Sequence, residues 1–278
     1  MIKRFFKIEF KRICRWQTLA AFIVFIGAFV NISIMDKMDI PSQVGYPAIS
    51  RLEQSNFFIS YLKALFGPIH SYMPLIFPLI ILLIIGDSLF LDYKTGNFQF
   101  SISRITHKQF IKYKTIAISL VIFIVTLIFQ LVAFLYSIFT SPYYLPTKAG
   151  AENNIIHNVQ MGIYVSKPFV YIFIIMILFS VISMTIAVLG LLTSNLLKNV
   201  FAVVSIPWIM YIIIGQLLMS VGTGNSILFR ISPIQMLGPC LFKENYNFIQ
   251  VFLYWIVLWS VSCFGTYKLF MRKFRLSL

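Results

Sequence analysis

Residues 168–221 read PFVYIFIIMILFSVISMTIAVLGLLTSNLLKNVFAVVSIPWIMYIIIGQLLMSV, and this stretch decides the fold. Pro168–Thr193 and Val200–Val221 are apolar and free of charge, and only Ser194–Asn199 separates them. Hydrocarbon about 30 Å thick needs about 20 apolar residues in a helix, because only helices and closed barrels satisfy the backbone there. Neither stretch alternates with the two-residue period of a barrel strand. The pair therefore predicts a tight hairpin of two spans, the second kinked at Pro207. Working outward, four further segments qualify, at about 16–35, 73–91, 115–139 and 249–271. The expected fold is all-α and polytopic, with six transmembrane helices in a single transmembrane domain over residues 1–278. The second span is the shortest, and Pro74 and Pro78 fall in its first turns, where proline is accommodated.

The whole composition agrees. The 278 residues are 59% hydrophobic and 11% charged, with a mean hydropathy of +0.88. Soluble domains carry about 25% charged residues, so a soluble enzyme or a free nucleic-acid binder is excluded. The net charge is nevertheless +15. Sixteen of the 23 Lys and Arg residues fall on one alternating set of flanks, and the seven on the other set are nearly balanced by acids. That asymmetry places both termini in the cytoplasm. Met1–Trp16 is basic and no small-residue cleavage site follows the first apolar core, so the first span reads as a retained anchor. The outer connections are then 36–72, 140–167 and 222–248. The first ends in Asn56–Leu62, read as lying at the outer interface. The third holds Ile227–Phe229 and Ile234–Leu237, read as short extracellular re-entrant or surface helices broken at Pro233 and Gly238-Pro239. Cys14, Cys240, Cys263 and His70, His107, His157 are scattered and give no metal spacing.

Wound at 100° per residue, Met1–Trp16 gathers Ile2, Phe5, Phe6, Phe10, Ile13 and Trp16 on one arc, with Lys3, Arg4, Lys7, Lys11, Arg12 and Arg15 elsewhere. This is the pattern of an interfacial amphipathic helix on an anionic leaflet. Glu9 falls inside the apolar arc, so it is expected either to pair with a basic residue of the next cytoplasmic loop or to snorkel to the headgroups. That loop, residues 92–114, is longer than the two to eight residues a plain connector needs, and it mixes aromatics with charge. Thr106 followed by Gln109 predicts a capped helix leading into the third span. Asp87 is the one acid inside a span and a functional candidate by default. It lacks a charged partner at matching depth, so pairing with Lys94 or Arg104, or hydration, is expected. Asn31, Gln130 and Gln216 are intramembrane polar candidates for bonds between helices.

The order Asp92, Gly96, Ser103-Arg104, Lys114 resembles the loop after the second span in ABC-2-type transporter permeases, the transmembrane subunits of bacterial ATP-binding-cassette exporters. The family more often has glutamate where Asp92 stands. The entry helix, six spans, hairpin between spans four and five, and broken outer helices near Ser232-Pro233 match the same layout over nearly the full chain. The resemblance implies that Thr95–Lys108 forms the coupling helix, with Asp92, Gly96, Phe98, Phe100, Ser103, Arg104 and Lys108 contacting a separate ATPase. It implies a pair of ATPase subunits and a second permease chain, identical or similar. It also implies an amphipathic or hydrophobic cargo, peptide or lipid-like, as in peptide export or immunity systems. The chain contains no G-x-x-x-x-G-K-[ST], so it is not expected to be an enzyme or to bind a cofactor itself; ATP and Mg belong to the partner. Richness in Ile, Phe, Lys and Asn points to an AT-rich bacterial genome and its cytoplasmic membrane. An ion- or proton-coupled secondary transporter would need coupling groups near the midplane, and a membrane-embedded enzyme would need converging acids or histidines. The spans offer little of either.

Overall fold

A computed structural model describes residues 2–13, 15–39, 55–66, 71–85, 88, 92, 105–147, 161–197, 199–222, 227–237 and 247–275. Among them there is no strand. The helices are α1 (Ile2–Ile13), α2 (Trp16–Asp39), α3 (Phe57–Phe66), α4 (Met73–Ile85) and α5 (His107–Thr140). They continue with α6 (Met161–Ser166), α7 (Pro168–Leu196), α8 (Val200–Val221), α9 (Ile227–Arg230), a 3-10 turn at Gln235–Leu237, and α10 (Phe248–Arg275). Five of them, α2, α5, α7, α8 and α10, are long and apolar enough to cross a membrane, which makes this a multi-pass membrane protein. The expected second span is described only as the 13 residues of α4.

The bundle is built around α7. It buries most of its length, against α10 and α5 above all, whereas α2, α8 and α10 bury only a stripe and turn apolar side chains outward. Outward-facing Leu and Ile need no cover where hydrocarbon is the solvent.

Proline sets a harder condition. Pro78 lies inside α4 and has no N–H, so the carbonyl of Pro74, four residues back, loses its helical donor. Tyr211 of α8 donates its hydroxyl to that carbonyl at 3.0 Å. Pro207 inside α8 frees the carbonyl of Val203 in the same way. The Thr193 hydroxyl of α7 lies 3.3 Å from it, sharing its one proton with the Leu189 and Gly190 carbonyls of its own helix. Both repairs join neighbouring helices, so each proline ties α8 to the bundle.

α3 departs from expectation. The stretch that was to lie at the outer interface is buried along all ten residues, packed against α2, α4 and α5. Its few polar groups all find partners inside. Lys63 pairs with Asp36 at 3.4 Å, Ser60 shares a hydrogen bond with Ser33 at 3.3 Å, and Tyr61 donates to Gln130 Oε1 at 2.5 Å. With those groups satisfied, no face of α3 needs water. Phe57 and Phe58 add ring contacts to Phe134, Tyr143 and Phe169.

Between α8 and α10, short turns form at Ile227–Arg230 and Gln235–Leu237. Ser232 donates to the Gly215 carbonyl at 3.0 Å, and Gly215 leaves the room that Ile234 fills.

Tyr211→Phe should strand the Pro74 carbonyl in a dry site and cost about 1–3 kcal/mol. Adding Pro78→Ala, which returns an N–H at that position, should recover most of the loss. Thermal unfolding of the wild type, the two single variants and the double variant in detergent measures both effects.

Candidate functional site

The entry helix ends earlier than its periodicity implied. α1 stops at Ile13, the chain bends at Arg15, and Trp16 opens α2 instead of completing the arc of α1. The bend is fixed by the Thr18 hydroxyl, which donates to the Ile13 carbonyl. On α1 the rings of Phe6 and Phe10 stack at 6.0 Å; Phe6 is half-buried against the core, and Phe10 and Ile8 are exposed. The side turned to the protein carries Glu9, Arg12 and Ile13, and it lies on α5.

α5 starts where the sequence indicated. Thr106 and Gln109 form a reciprocal capping box, each side chain bonded to the other residue's backbone N–H. The helix then runs two turns before the apolar stretch begins, which places Lys114 at the level of Glu9. Ser88 and Asp92, four residues apart and both helical, arrive from the segment after α4 on one face.

These side chains form a closed ring of four charges. Arg12 Nη2 meets Asp92 Oδ1 at 2.6 Å, and Arg12 Nη1 meets Glu9 Oε1 at 3.3 Å. Lys114 Nζ meets Glu9 Oε1 at 3.2 Å and also binds Asp92 Oδ2. The Ser88 carbonyl, 3.5 Å away, accepts from the same ammonium, whose three protons are thus all placed. Ser88 Oγ donates to Glu9 Oε2 at 3.4 Å. Lys114 is 0% exposed, Glu9 2% and Asp92 4%. Two acids face two bases, so the ring is neutral.

Burial by itself pushes the Asp92 carboxyl upward. The charge of Lys114 and the hydrogen bonds and charge of Arg12 outweigh it and hold its pKa below the ordinary 3.8. Such a ring adds little net stability over a well-packed apolar core, because desolvation cancels much of the attraction; removing one member, however, leaves a bare buried charge. Its effect is specificity. One position of α1 relative to α5 and the 88–92 segment satisfies all four groups.

Glu9 therefore pairs rather than snorkels, with Lys114 at the end of the 92–114 stretch, where α5 has already begun, and with Arg12 of its own helix. The sequence contained each member and not the ring. A lone acid on an apolar arc, an acid closing a span and a lysine entering one were the available signals. Of the expected coupling residues, Asp92 is in the ring and Lys108 is exposed on α5, apart from it. Gly96, Phe98, Phe100, Ser103, Arg104 and the intramembrane Asp87 lie outside the described residues, as does the side chain of Phe5. Asn31 donates to Tyr72 Oη at 3.0 Å, linking α2 to the start of α4, and Gln130 links α5 to α3. Gln216 is exposed on α8 and forms no such link among the described residues. Nor does any group of three His, Cys, Asp or Glu side chains come together among them.

A cavity of about 450 Å³ lies among α4, α7, α8 and α10, bordered by Pro78, Pro207 and Pro233. Its polar lining side chains are Thr193, Tyr211, Tyr254 and Trp255. Each already donates its hydrogen to a backbone carbonyl, Tyr254 to Ile231 at 3.2 Å and Trp255 to Met236 at 2.6 Å. What remains for an occupant is hydrocarbon surface.

No family model matches the chain, and no curated protein or solved structure matches it either.

Lys114→Met should cost about 3–5 kcal/mol by leaving two buried carboxylates to the single charge of Arg12, and Glu9→Gln in the same chain, which leaves the neutral Arg12–Asp92 pair, should return much of it. Denaturation in detergent tests both. Because the folded Asp92 carboxyl titrates below 3.8, its stabilising effect is complete above that pH and lost as pH falls through the lowered value. Asp92→Asn should flatten that acid limb of the stability profile.

Proposed function

We propose that this chain is the membrane-spanning permease subunit of an ATP-driven exporter of the ABC-2 type, working with a separate pair of ATPase subunits and a second permease chain. The observation that carries the reading is the buried charge ring. It joins the entry helix, the segment after α4 and the head of α5 into one unit, and Asp92 in that unit opens the loop of residues 92–114. A push delivered to such a loop reaches α1 and α5 together, because separating them strands buried charge. A passive connector has no need of this.

On this reading the segment beginning with α4 is a sixth span continuing toward residue 91, and both termini face the cytoplasm of a bacterial cell, as the Lys and Arg bias favours. The turns at Ile227–Arg230 and Gln235–Leu237 are re-entrant elements of the outer side. The cargo is amphipathic or hydrophobic, peptide or lipid-like. The 450 Å³ cavity supports that class, since pockets of about 300–1,000 Å³ hold small ligands and this one offers no unspent donor. The ring lies at one end of the bundle with its charges mutually neutralised. That arrangement suits a mechanical joint better than a proton path, which needs acids near the midplane.

The tagged chain, extracted in detergent from its own host, should bring down an ATP-binding-cassette ATPase. Arg104→Ala, or Phe98→Ala with Phe100→Ala, should abolish that association while the permease remains monodisperse. Absence of the ATPase from the wild-type preparation would refute the assignment; its retention by the variants would move the contact elsewhere.

A further inference from the structure

At the end of the bundle that carries α1, a crevice in two parts runs between α5 and α10. The outer part, about 320 Å³, is lined by Lys108 of α5 and by Tyr267, Lys268, Met271 and Arg272 of α10. The inner part, about 360 Å³, lies along the same two helices; Lys112 and Thr115 stand on its wall, but its surface is mainly apolar, with Ile116, Trp259 and Phe264 prominent. Tyr267 borders both parts, so they adjoin. Phe110, Ile111 and Phe270 close the floor between the helices.

The two parts differ sharply in chemistry. The mouth holds three cations and, among the described residues, no anion. Neither α5 nor α10 contains an Asp or Glu, and residues 93–104 contain none. Of the described acids at this end, Glu9 and Asp92 are spent on Arg12 and Lys114. Lys268 folds back so that its ammonium lies 4.5 Å from the centre of the Phe264 ring, at the boundary between the basic mouth and the apolar shaft. Phe264 is exposed where hydrocarbon surrounds the bundle.

Length completes the match. From Arg272 to Trp259 the helix rises about 20 Å, at about 1.5 Å per residue. One leaflet of hydrocarbon is about 15 Å deep, with the headgroup layer outside it. A soluble phosphate would use the mouth and leave the shaft empty. A neutral alkane would do the reverse. We propose that the α5–α10 crevice binds one anionic phospholipid from the surrounding leaflet, its phosphate held by Lys108, Lys268 and Arg272 and an acyl chain laid against Ile116, Trp259 and Phe264. Basic pockets between membrane helices bind anionic headgroups on this principle. The site is independent of the transport reading, since it requires neither an ATPase nor a cargo.

Native mass spectrometry of the purified full chain, exposed to equal amounts of phosphatidylglycerol and phosphatidylcholine of identical acyl composition, tests it. The expected result is retention of one phosphatidylglycerol in clear preference to phosphatidylcholine. Lys268→Gln and Arg272→Gln should each lower that preference about fivefold, and Lys108→Gln with both should erase it. Lys7→Gln with Lys11→Gln, which removes charge from α1 instead, should leave it intact. Thr115→Trp, filling the shaft, should release the lipid with the mouth unchanged. Three results would overturn the site: equal retention of the two lipids by the wild type, a loss of preference in the α1 variant as large as in the crevice variants, or glycerol 1-phosphate competing as well as the intact lipid. If the triple variant is not monodisperse on gel filtration, the single variants decide the question.

Discussion

A backbone carbonyl in hydrocarbon has no water to turn to, and much of this structure follows from that one constraint. It explains why the described residues are helical, and also why their irregularities sit where they do. Pro78 and Pro207 each free a carbonyl, and in each case a side chain of another helix lies within reach of it. The same hydroxyls then have nothing left to donate into the cavity beside them. A defect in one helix, its repair by a neighbour and the apolar character of the space between are thus a single fact. The buried α3 obeys the rule too, since Ser60, Tyr61 and Lys63 all find partners within the bundle.

Charge is distributed by the opposite logic. Most of the basic residues remain near the ends of the helices, where headgroups and water receive them. Lys114 and Arg12 do not; they are drawn into a neutral ring with the two acids. The basic mouth of the α5–α10 crevice marks the contrast, because three cations gather there with no acid on either helix. One group is closed internally and the other remains open to something outside the chain.

The periodic and local features were legible in sequence. Hydropathy located α2, α5, α7, α8 and α10 to within a few residues in their apolar parts, and Thr106 with Gln109 announced the start of α5 in chemical detail. Two things were not legible. α3 was misread because the partners of its polar groups, Ser33 for Ser60, Gln130 for Tyr61 and Asp36 for Lys63, lie far away in the sequence. The ring was missed because pairing between residues far apart leaves no local pattern. Glu9 could be recognised as needing a partner; which partner depended on how α1 turns at Arg15 and lies on α5. That turn also separated Trp16 from the arc to which its spacing assigned it.

The distance along the chain between members of the ring has a consequence in time. Lys114 follows Glu9 by 105 residues. At about 5–20 residues per second, some 5–20 s of synthesis separate the emergence of the acid from that of its base. Throughout that interval α1 carries an acid on its apolar side with only Arg12, one turn away, to answer it. The entry helix therefore reaches its final seat only when the head of α5 has been made. Completion of the first 114 residues is thereby recorded in the position of the first helix.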